Sequence, residues 1–307
     1  MILLTGGSGF LGRAISEQLP EAKALSSADL DLTAGSATAD AISDWRPEVV
    51  IHCAARVGGI TENMSRQADF LVDNMRIDAN LLSALRAHPP KHFIPMLSTC
   101  MYPDRLSDDQ YPMTEELIEA GPPPPTNAAY AAAKRALWRG TLALHEQYGV
   151  PYAALVPANL YGPGDHFGEG ASHFLAAAID KIEKARLADE PEVVFFGTGT
   201  ALRQYVLSTD LARLVAHLVE RGPLNETLNV APVVMWSVSE LALDVATVAG
   251  YRGNIIFTGQ GPDGQHRKDV SIDKLERLVP EWNDLRSWLR VGFKSTIDWY
   301  RANVESR

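Results

Sequence analysis

The sequence predicts an α/β protein: a doubly wound parallel sheet followed by a smaller C-terminal α/β lobe. Three observations carry this reading. Short β-rich runs alternate with longer stretches of helical periodicity through the first half of the chain. Those runs are apolar almost without interruption, as in strands covered on both faces. A glycine-rich turn stands between the first run and the first helix. With 307 residues the chain is long enough for one large domain and an attached lobe. The first domain is placed at residues 1–162, with a segment near 203–235 returning to it; the smaller lobe takes up most of 163–307.

The strand candidates are ILLT (2–5), EVVIHCA (48–54), HFIPMLS (92–98) and YAALVPA (152–158), with a second strand ending near Ala24-Leu25-Ser26-Ser27. Helical patterns lie between them at 10–19, 64–88 and 128–147. GPPPPT (121–126) fits neither helix nor central strand and reads as a stiff loop feeding the helix near Asn127. Beyond residue 162 the pattern loosens. Helices are expected near 172–187, 209–220 and 238–249, mixed with short strands at 193–196 and 203–206. Ser237 and Glu240 have capping-box spacing at the start of the last of these helices. On the helix at 64–88, Phe70, Ile77, Leu81 and Leu85 form one apolar flank, and Leu71, Met75 and Leu82 another. One flank covers the sheet and the other wants a partner.

Composition narrows the function classes. At 46% hydrophobic and 21% charged, the chain is an ordinary globular protein. A net charge of −10 argues against nucleic acid as a partner, so a phosphate-bearing ligand needs a local positive site. Two cysteines, Cys53 and Cys100, make no disulfide framework and point to a reducing compartment. No signal peptide and no membrane-length apolar run is read, so a cytoplasmic protein is expected, with no membrane partner. No metal site is expected.

TGGSGFLGRAI (5–15) follows the first strand and opens a helix. Gly6, Gly9 and Gly12 are spaced GxxGxxG, and Gly7, Gly9 and Gly12 also fit GxGxxG. Glycines allow a tight turn and close backbone approach to a pyrophosphate, which then meets the free N–H groups and positive dipole end of the helix. At the end of the second strand a carboxylate would bind a ribose 2′-hydroxyl and repel a 2′-phosphate. Here stand Ser26 and Ser27, and Arg13 follows the last glycine. Donors and one cation suit a 2′-phosphate, so NADP(H) is expected over NAD(H). Asp29 and Asp31 come a few residues later, either lining the adenine pocket or lying in a surface loop.

Tyr130 and Lys134 lie one helical turn apart in YAAAK. A lysine cation favours the phenolate, which would bring a phenol that normally titrates near pH ~10 toward neutrality. With Ser98 at a strand end, the three residues form a set suited to hydride transfer onto a carbonyl: Ser98 and Tyr130 hold and protonate the oxygen. Cys100 lies two residues after Ser98 in LSTCMYP, and an extended chain would send both side chains the same way. Cys53 and His52 read as packed core residues.

These motifs carry a resemblance. TGGSGFLG, the Ser–Tyr–Lys set and YxxxK resemble the extended short-chain dehydrogenase/reductases. AARVGGI (54–60), ADFLVDNM (68–75), LSTCMYP (97–103), PANLYGPGDHF (157–167), SHFL (172–175), GTGTALRQYV (197–206) and GPDGQHRK (261–268) resemble, within that superfamily, the GDP-L-fucose synthases, which epimerise and reduce GDP-4-keto-6-deoxy-mannose. The resemblance implies a GDP-sugar substrate and a cofactor site built from four groups of residues. The first is Gly6, Gly9, Phe10, Leu11, Gly12 and Arg13; the second is Ser26, Ser27, Asp31 and Leu32. Ala54 and Ala55 follow, then Lys134, Pro157, Asn159, Leu160 and His173.

It also implies a role for the cysteine. The C3 and C5 protons of a 4-keto sugar are acidified by the carbonyl, and inversion needs a base on one face and an acid on the other. In the family a Cys–His pair does this, here Cys100 and His173. His173 precedes a helical run, so a simple cap is the competing reading. The diphosphate would meet Lys181, Arg203 and Lys268, with Asp263 available to a hydroxyl or base donor and Asn159 between substrate and nicotinamide. A lone helix lysine such as Lys181 is also an ordinary solvated residue. Phe196 stands where the family carries tryptophan, Asn229-Val230-Ala231-Pro232 replaces a glycine-containing turn, and SHFLAAA lacks a proline. These departures leave the sugar open, hexose or heptose. The alternatives are an enzyme that only reduces or only epimerises another nucleotide 4-keto sugar, and a catalytically silent NADP sensor. The superfamily further implies a homodimer through the 64–88 and Tyr130 helices.

Overall fold

Leu3, Leu4, Val50, Ile51, Phe93 and Ile94 are fully buried, and they come from three neighbouring strands. The computed structural model describes residues 1–168, 173–261, 265–287 and 289–305. The chain runs β1 (Ile2–Thr5), α1 (Phe10–Gln18), β2 (Lys23–Leu25), α2 (Gly35–Trp45), β3 (Val49–His52), α3 (Ile60–Ser65), α4 (Gln67–Ala87), β4 (His92–Pro95), α5 (Ala128–Tyr148) and β5 (Ala153–Pro157). The first four strands pair in the order β2-β1-β3-β4, all parallel. Parallel bridges Phe93↔Tyr152 and Met96↔Leu155 carry the sheet on to β5. Every residue of β4 and β5 is buried, which explains the uninterrupted apolar runs: helices cover both faces.

The chain continues through β6 (Asn159–Tyr161), α6 (Phe174–Leu187), β7 (Glu192–Phe195), β8 (Leu202–Arg203), β9 (Tyr205–Leu207), α7 (Ser208–Arg221) and β10 (Glu226–Val230). Strand β10 pairs parallel with β5, and α7 packs beside α1. Then follow β11 (Trp236–Ser237), α8 (Val238–Ala249), β12 (Asn254–Phe257), β13 (Arg267–Lys268), α9 (Asp273–Leu278), α10 (Trp282–Leu285) and α11 (Leu289–Tyr300). Short sheets β7–β12, β6–β9 and β11–β8–β13 surround a second apolar cluster, with Tyr161, Leu175, Ile179, Val245 and Phe293 at its centre. The α/β class and its smaller C-terminal region are as the sequence reading expects. The segment from Val270 to Trp282 joins the first cluster, a return that the sequence-based division does not include.

Three local differences have physical causes. The helix expected over 64–88 is two helices, broken at Arg66 (φ −130°, ψ 36°). The strand expected at 203–206 splits around buried Gln204. Its side-chain amide donates to Pro232 O (2.7 Å) and accepts from Val270 N–H (2.9 Å), so β8 and β9 join different sheets. On α4, Leu82 is half-buried against α5, near Gly140, while Val72 and Met75 stay exposed. The Ser237–Glu240 capping box forms as expected. Among the described residues, no helix is long and apolar enough to cross a membrane.

Candidate active site

The turn after β1 is tight because its glycines touch. Gly6 has φ +72° and its carbonyl accepts from Gly9 N–H at 3.0 Å. A Cβ at Gly12 would stand 2.0 Å from Gly6 O, and one at Gly6 would stand 2.7 Å from Ala54 N. Helix α1 therefore starts directly against the strand end. Its N-cap, Gly9, offers no capping side chain and its first turn has no acid, so its N-terminal N–H groups suit an anion. These residues line a cavity of about 930 Å³ that runs across the C-terminal ends of the strands. The cradle fits a dinucleotide pyrophosphate. Ser26, Ser27, Asp31 and Leu32, which follow edge strand β2, line the cavity, as do Ala54 and Ala55 after β3.

Arg13 is placed differently from the sequence reading. It does not line the cavity; its guanidinium donates to Ser8 O (2.5 Å) and Gly164 O (2.7 Å), fastening the 162–168 loop to the glycine turn. The two loop acids also separate. Asp31 lines the cavity and accepts from Thr33 N–H and Oγ1–H. Asp29 accepts from Ser26 Oγ–H (2.6 Å) and N–H (2.8 Å) outside the lining. These hydrogen bonds hold both carboxyls below their usual range.

Ser98, Cys100, Tyr130, Lys134 and His173 all line this cavity. Strand alternation is not what brings Ser98 and Cys100 together. Strand β4 ends at Pro95, and Ser98 caps a 3₁₀ turn over Thr99–Met101, its Oγ accepting Cys100 N–H at 3.2 Å. The turn does what an extended chain was expected to do. Tyr130 also departs from expectation. Burial pushes its phenol well above the usual range, with the Cys100 sulfur and Asp78 adding to the rise. The Lys134 ammonium lies 5.9 Å from the ring centroid and donates to Met96 O at 2.9 Å. Lys134 is itself lowered by burial. Tyr130 is thus held protonated, as a proton donor must be before it acts.

His173 is the N-cap residue of α6 but makes no side-chain cap bond, and it is among the residues lining the cavity. Desolvation lowers its pKa, helped by the positive charge of Lys268 and by His166. Cys53 edges the cavity too, but burial pushes its thiol up to about 12. Asn159 and Leu160 line the wall, with Asn159 Nδ2 donating to Gln204 O at 3.1 Å, and Pro157 lies beside them.

Of the residues expected on the substrate side, Asn159 belongs to this lining, whereas Lys181, Phe196, Arg203 and Lys268 stand outside it. In the register of β13 with β8, Lys268 pairs with Arg203, and Lys268 Nζ is 3.8 Å from Cys100 Sγ. Lys181 donates to Val194 O and lies 5.4 Å from the Phe195 ring centroid, tying α6 to β7. Phe196 is 83% exposed. Asp263 lies outside the described residues. The sequence reading missed Asp165 and His166, which line the cavity. Gly162 and Gly164, at φ +150° and +81°, let the loop turn them inward, and burial pushes the Asp165 carboxyl up to about 7. Their signal is the PGDH run, which carries the resemblance but suggests no role for either residue by itself. Arg56, paired with Asp73, was missed as well. Among the described residues, no cluster of three or more His, Cys, Asp or Glu side chains is placed to hold a metal ion.

Comparisons place this geometry among known proteins. The family profile described as NAD dependent epimerase/dehydratase family matches residues 2–231. A probable GDP-L-fucose synthase of Drosophila melanogaster is 33% identical over 319 residues, covering 99% of this chain and 98% of that protein. A GDP-L-fucose synthase of Escherichia coli (strain K12) is 32% identical over 318 residues, covering 99% and 97%. Among solved structures, a GDP-L-fucose synthetase from Naegleria fowleri bound to NADP superposes with a TM-score of 0.88 at 32% identity, covering 99% of this chain and 93% of that one.

Proposed function

The chain belongs to the NAD dependent epimerase/dehydratase family, and we propose that it is an NADP(H)-dependent epimerase-reductase acting on a GDP-4-keto-6-deoxy sugar, giving GDP-L-fucose or a close analogue. The observation that carries the reading is one cavity lined by Ser98, Tyr130 and Lys134 together with Cys100 and His173. The relatives named as GDP-L-fucose synthases, matched over nearly the whole chain, support the substrate class. The relative solved with NADP, together with the hydroxyls of Ser26 and Ser27 at the adenosine end, supports NADP(H) over NAD(H). The first apolar cluster is read as the cofactor domain and the second as the substrate lobe.

Ser98 and Tyr130 hold the C4 oxygen by hydrogen bonds, which strengthen as charge builds on it. Cys100 and His173 act on the neighbouring carbons: one removes the α proton and the other returns a proton to the opposite face. The bound cofactor supplies hydride to C4. Tyr130 then gives its proton to the alkoxide oxygen, and the Lys134 cation offsets the phenolate left behind. Lys268, beside Cys100 and paired with Arg203, brings positive charge to the side where a diphosphate would lie. The exposed Val72 and Met75 on α4 support a homodimer through that helix.

The test is incubation of the 4-keto sugar with enzyme in deuterated water. Deuterium at C3 and C5 together with NADPH consumption supports the full reaction; consumption without exchange reduces it to a reductase, and exchange alone to an epimerase. Cys100→Ser is expected to abolish exchange yet still reduce substrate that has already been epimerised. If exchange survives in that variant, Cys100 is not the acid or base of the epimerisation.

A further inference from the structure

The segment that carries Ser98 and Cys100 is held at both ends from one helix. Lys134 and Arg135 are consecutive on α5. Lys134 Nζ donates to Met96 O at 2.9 Å, ahead of Ser98. The Arg135 guanidinium donates to Met101 O, from Nε at 2.8 Å and from Nη2 at 2.5 Å, directly after Cys100. Nη2 also donates to Gly121 O at 2.8 Å, at the start of the proline-rich loop. Met101 is fully buried and closes the 3₁₀ turn over Thr99–Met101. The last carbonyl of so short a turn has no donor within it, and a buried carbonyl left unpaired is costly. Arg135 supplies the donor. A planar guanidinium fork serves two carbonyls in one fixed geometry, which a lysine ammonium, a single point of charge, does not.

The two ends of the segment are held differently. The Ser98 end stays with the sheet: Met96 bridges Leu155, Leu97 N–H donates to Leu155 O at 2.8 Å, and Lys134 adds its bond to Met96. The Cys100 end has left the sheet. Its turn is held by the Ser98 cap at 3.2 Å, by Arg135, and by Tyr102, whose buried hydroxyl donates to Asn229 Oδ1 at 2.7 Å. Of these, Arg135 comes from α5, the helix that also carries Tyr130. On its other side the Cys100 sulfur meets Lys268 Nζ at 3.8 Å.

We propose that Arg135 is a positioning residue for the epimerisation: it locks the Cys100 turn to the Tyr130 helix, so that one bound sugar meets the epimerising and the reducing side chains together. The proposal rests on the reading of Cys100 as an acid or base of the reaction. Arg135→Met keeps an apolar stem and removes the fork. In that variant, deuterium uptake at C3 and C5 of the 4-keto sugar is expected to fall about 100-fold, the loss that a misplacement of about 1 Å brings. NADPH oxidation on sugar already epimerised should stay near the parent rate, because Lys134 still holds the Ser98 end. NADPH affinity, read by fluorescence titration, should not change. Backbone amide exchange read by mass spectrometry should quicken in the peptide spanning 98–102. Arg135→Ala should regain sugar deuteration when ethylguanidinium is added, and Arg135→Lys should retain only part of it. If Arg135→Met does not fold, Arg135→Lys shows the same split in milder form. Sugar deuteration at the parent rate overturns the proposal. So does an equal fall in deuteration and reduction, which leaves Arg135 a structural residue. A parent enzyme that deuterates neither carbon refutes the reading of Cys100 itself, and the proposal falls with it. The two failures are told apart by whether the parent, or only the variant, departs from expectation.

Discussion

Gly12→Ala isolates the glycine turn from the rest of the site. The added Cβ would stand 2.0 Å from Gly6 O and 2.8 Å from both Gly6 C and Gly7 Cα. All three are backbone atoms, so no rotamer change relieves the contact. At Gly9 the added Cβ would meet the same oxygen at 3.2 Å, and that residue already has φ −73°, open to any side chain. To reach even that spacing, Gly12→Ala must displace the Gly6 carbonyl by about 1.2 Å, and Gly6 itself is wedged against Ala54. Overpacking of this kind costs roughly 1–3 kcal/mol, and a backbone-on-backbone clash belongs at the upper end. If the turn opens to relieve it, the cost falls on the pyrophosphate cradle, and about 3 kcal/mol corresponds to roughly 100-fold weaker dinucleotide binding. Fluorescence titration with NADPH measures this, with thermal unfolding in parallel. Gly149→Ala is the control. It has φ +66° and no neighbour within 4 Å of the new Cβ, so it should lose some stability, about 1 kcal/mol, and leave NADPH affinity unchanged. If Gly12→Ala binds NADPH within about twofold of the parent, a factor worth only about 0.4 kcal/mol, the close contact is not what shapes the site.

Two further predictions concern the scaffold. His92 is buried in β4 with neither ring nitrogen hydrogen-bonded among the described residues, and burial lowers its pKa from 6.5 to about 4. Because the folded-state value is depressed, the unfolded chain takes up the proton first as pH falls from 6.5 to 4. Stability is then lost through that window, by about 3 kcal/mol over its full width. Urea unfolding of the parent and of His92→Phe at several pH values should show this slope in the parent and a shallower one in the variant; equal slopes would count against it. For the proposed dimer, sedimentation at micromolar concentration should give twice the monomer mass, and Met75→Glu on the exposed flank of α4 should lower it; a monomeric parent removes that interface from the reading.

What is legible in the sequence is what short-range physics determines. The strands of the first sheet show as apolar runs because helices cover both faces, and the glycine turn shows because a Cβ at Gly12 would stand 2.0 Å from Gly6 O. Ser98, Tyr130 and Lys134 are legible as a set, but strand alternation is the wrong reason for pairing Ser98 with Cys100. An extended strand would alternate without a break, whereas the chain leaves the strand at Pro95 and uses the serine as a cap. The two routes give the same outcome because either one directs both side chains to one side; sequence spacing alone does not tell them apart.

The substrate side is less legible for the opposite reason. Strands β8, β11 and β13 are two residues each, too short to show a period, and their register depends on Gln204, whose partners lie 28 and 66 residues away. His52 shows the same limit in the core. A histidine in an apolar strand reads as packing, and nothing local reveals that its partners, Thr5 and Asp78, lie 47 and 26 residues away. A buried polar residue needs partners from distant segments to satisfy it. The side chains satisfied in this way are therefore the ones whose partners are least visible along the chain, and the Asp78–His52–Thr5 hydrogen bonds connect three such segments, α4, β3 and β1.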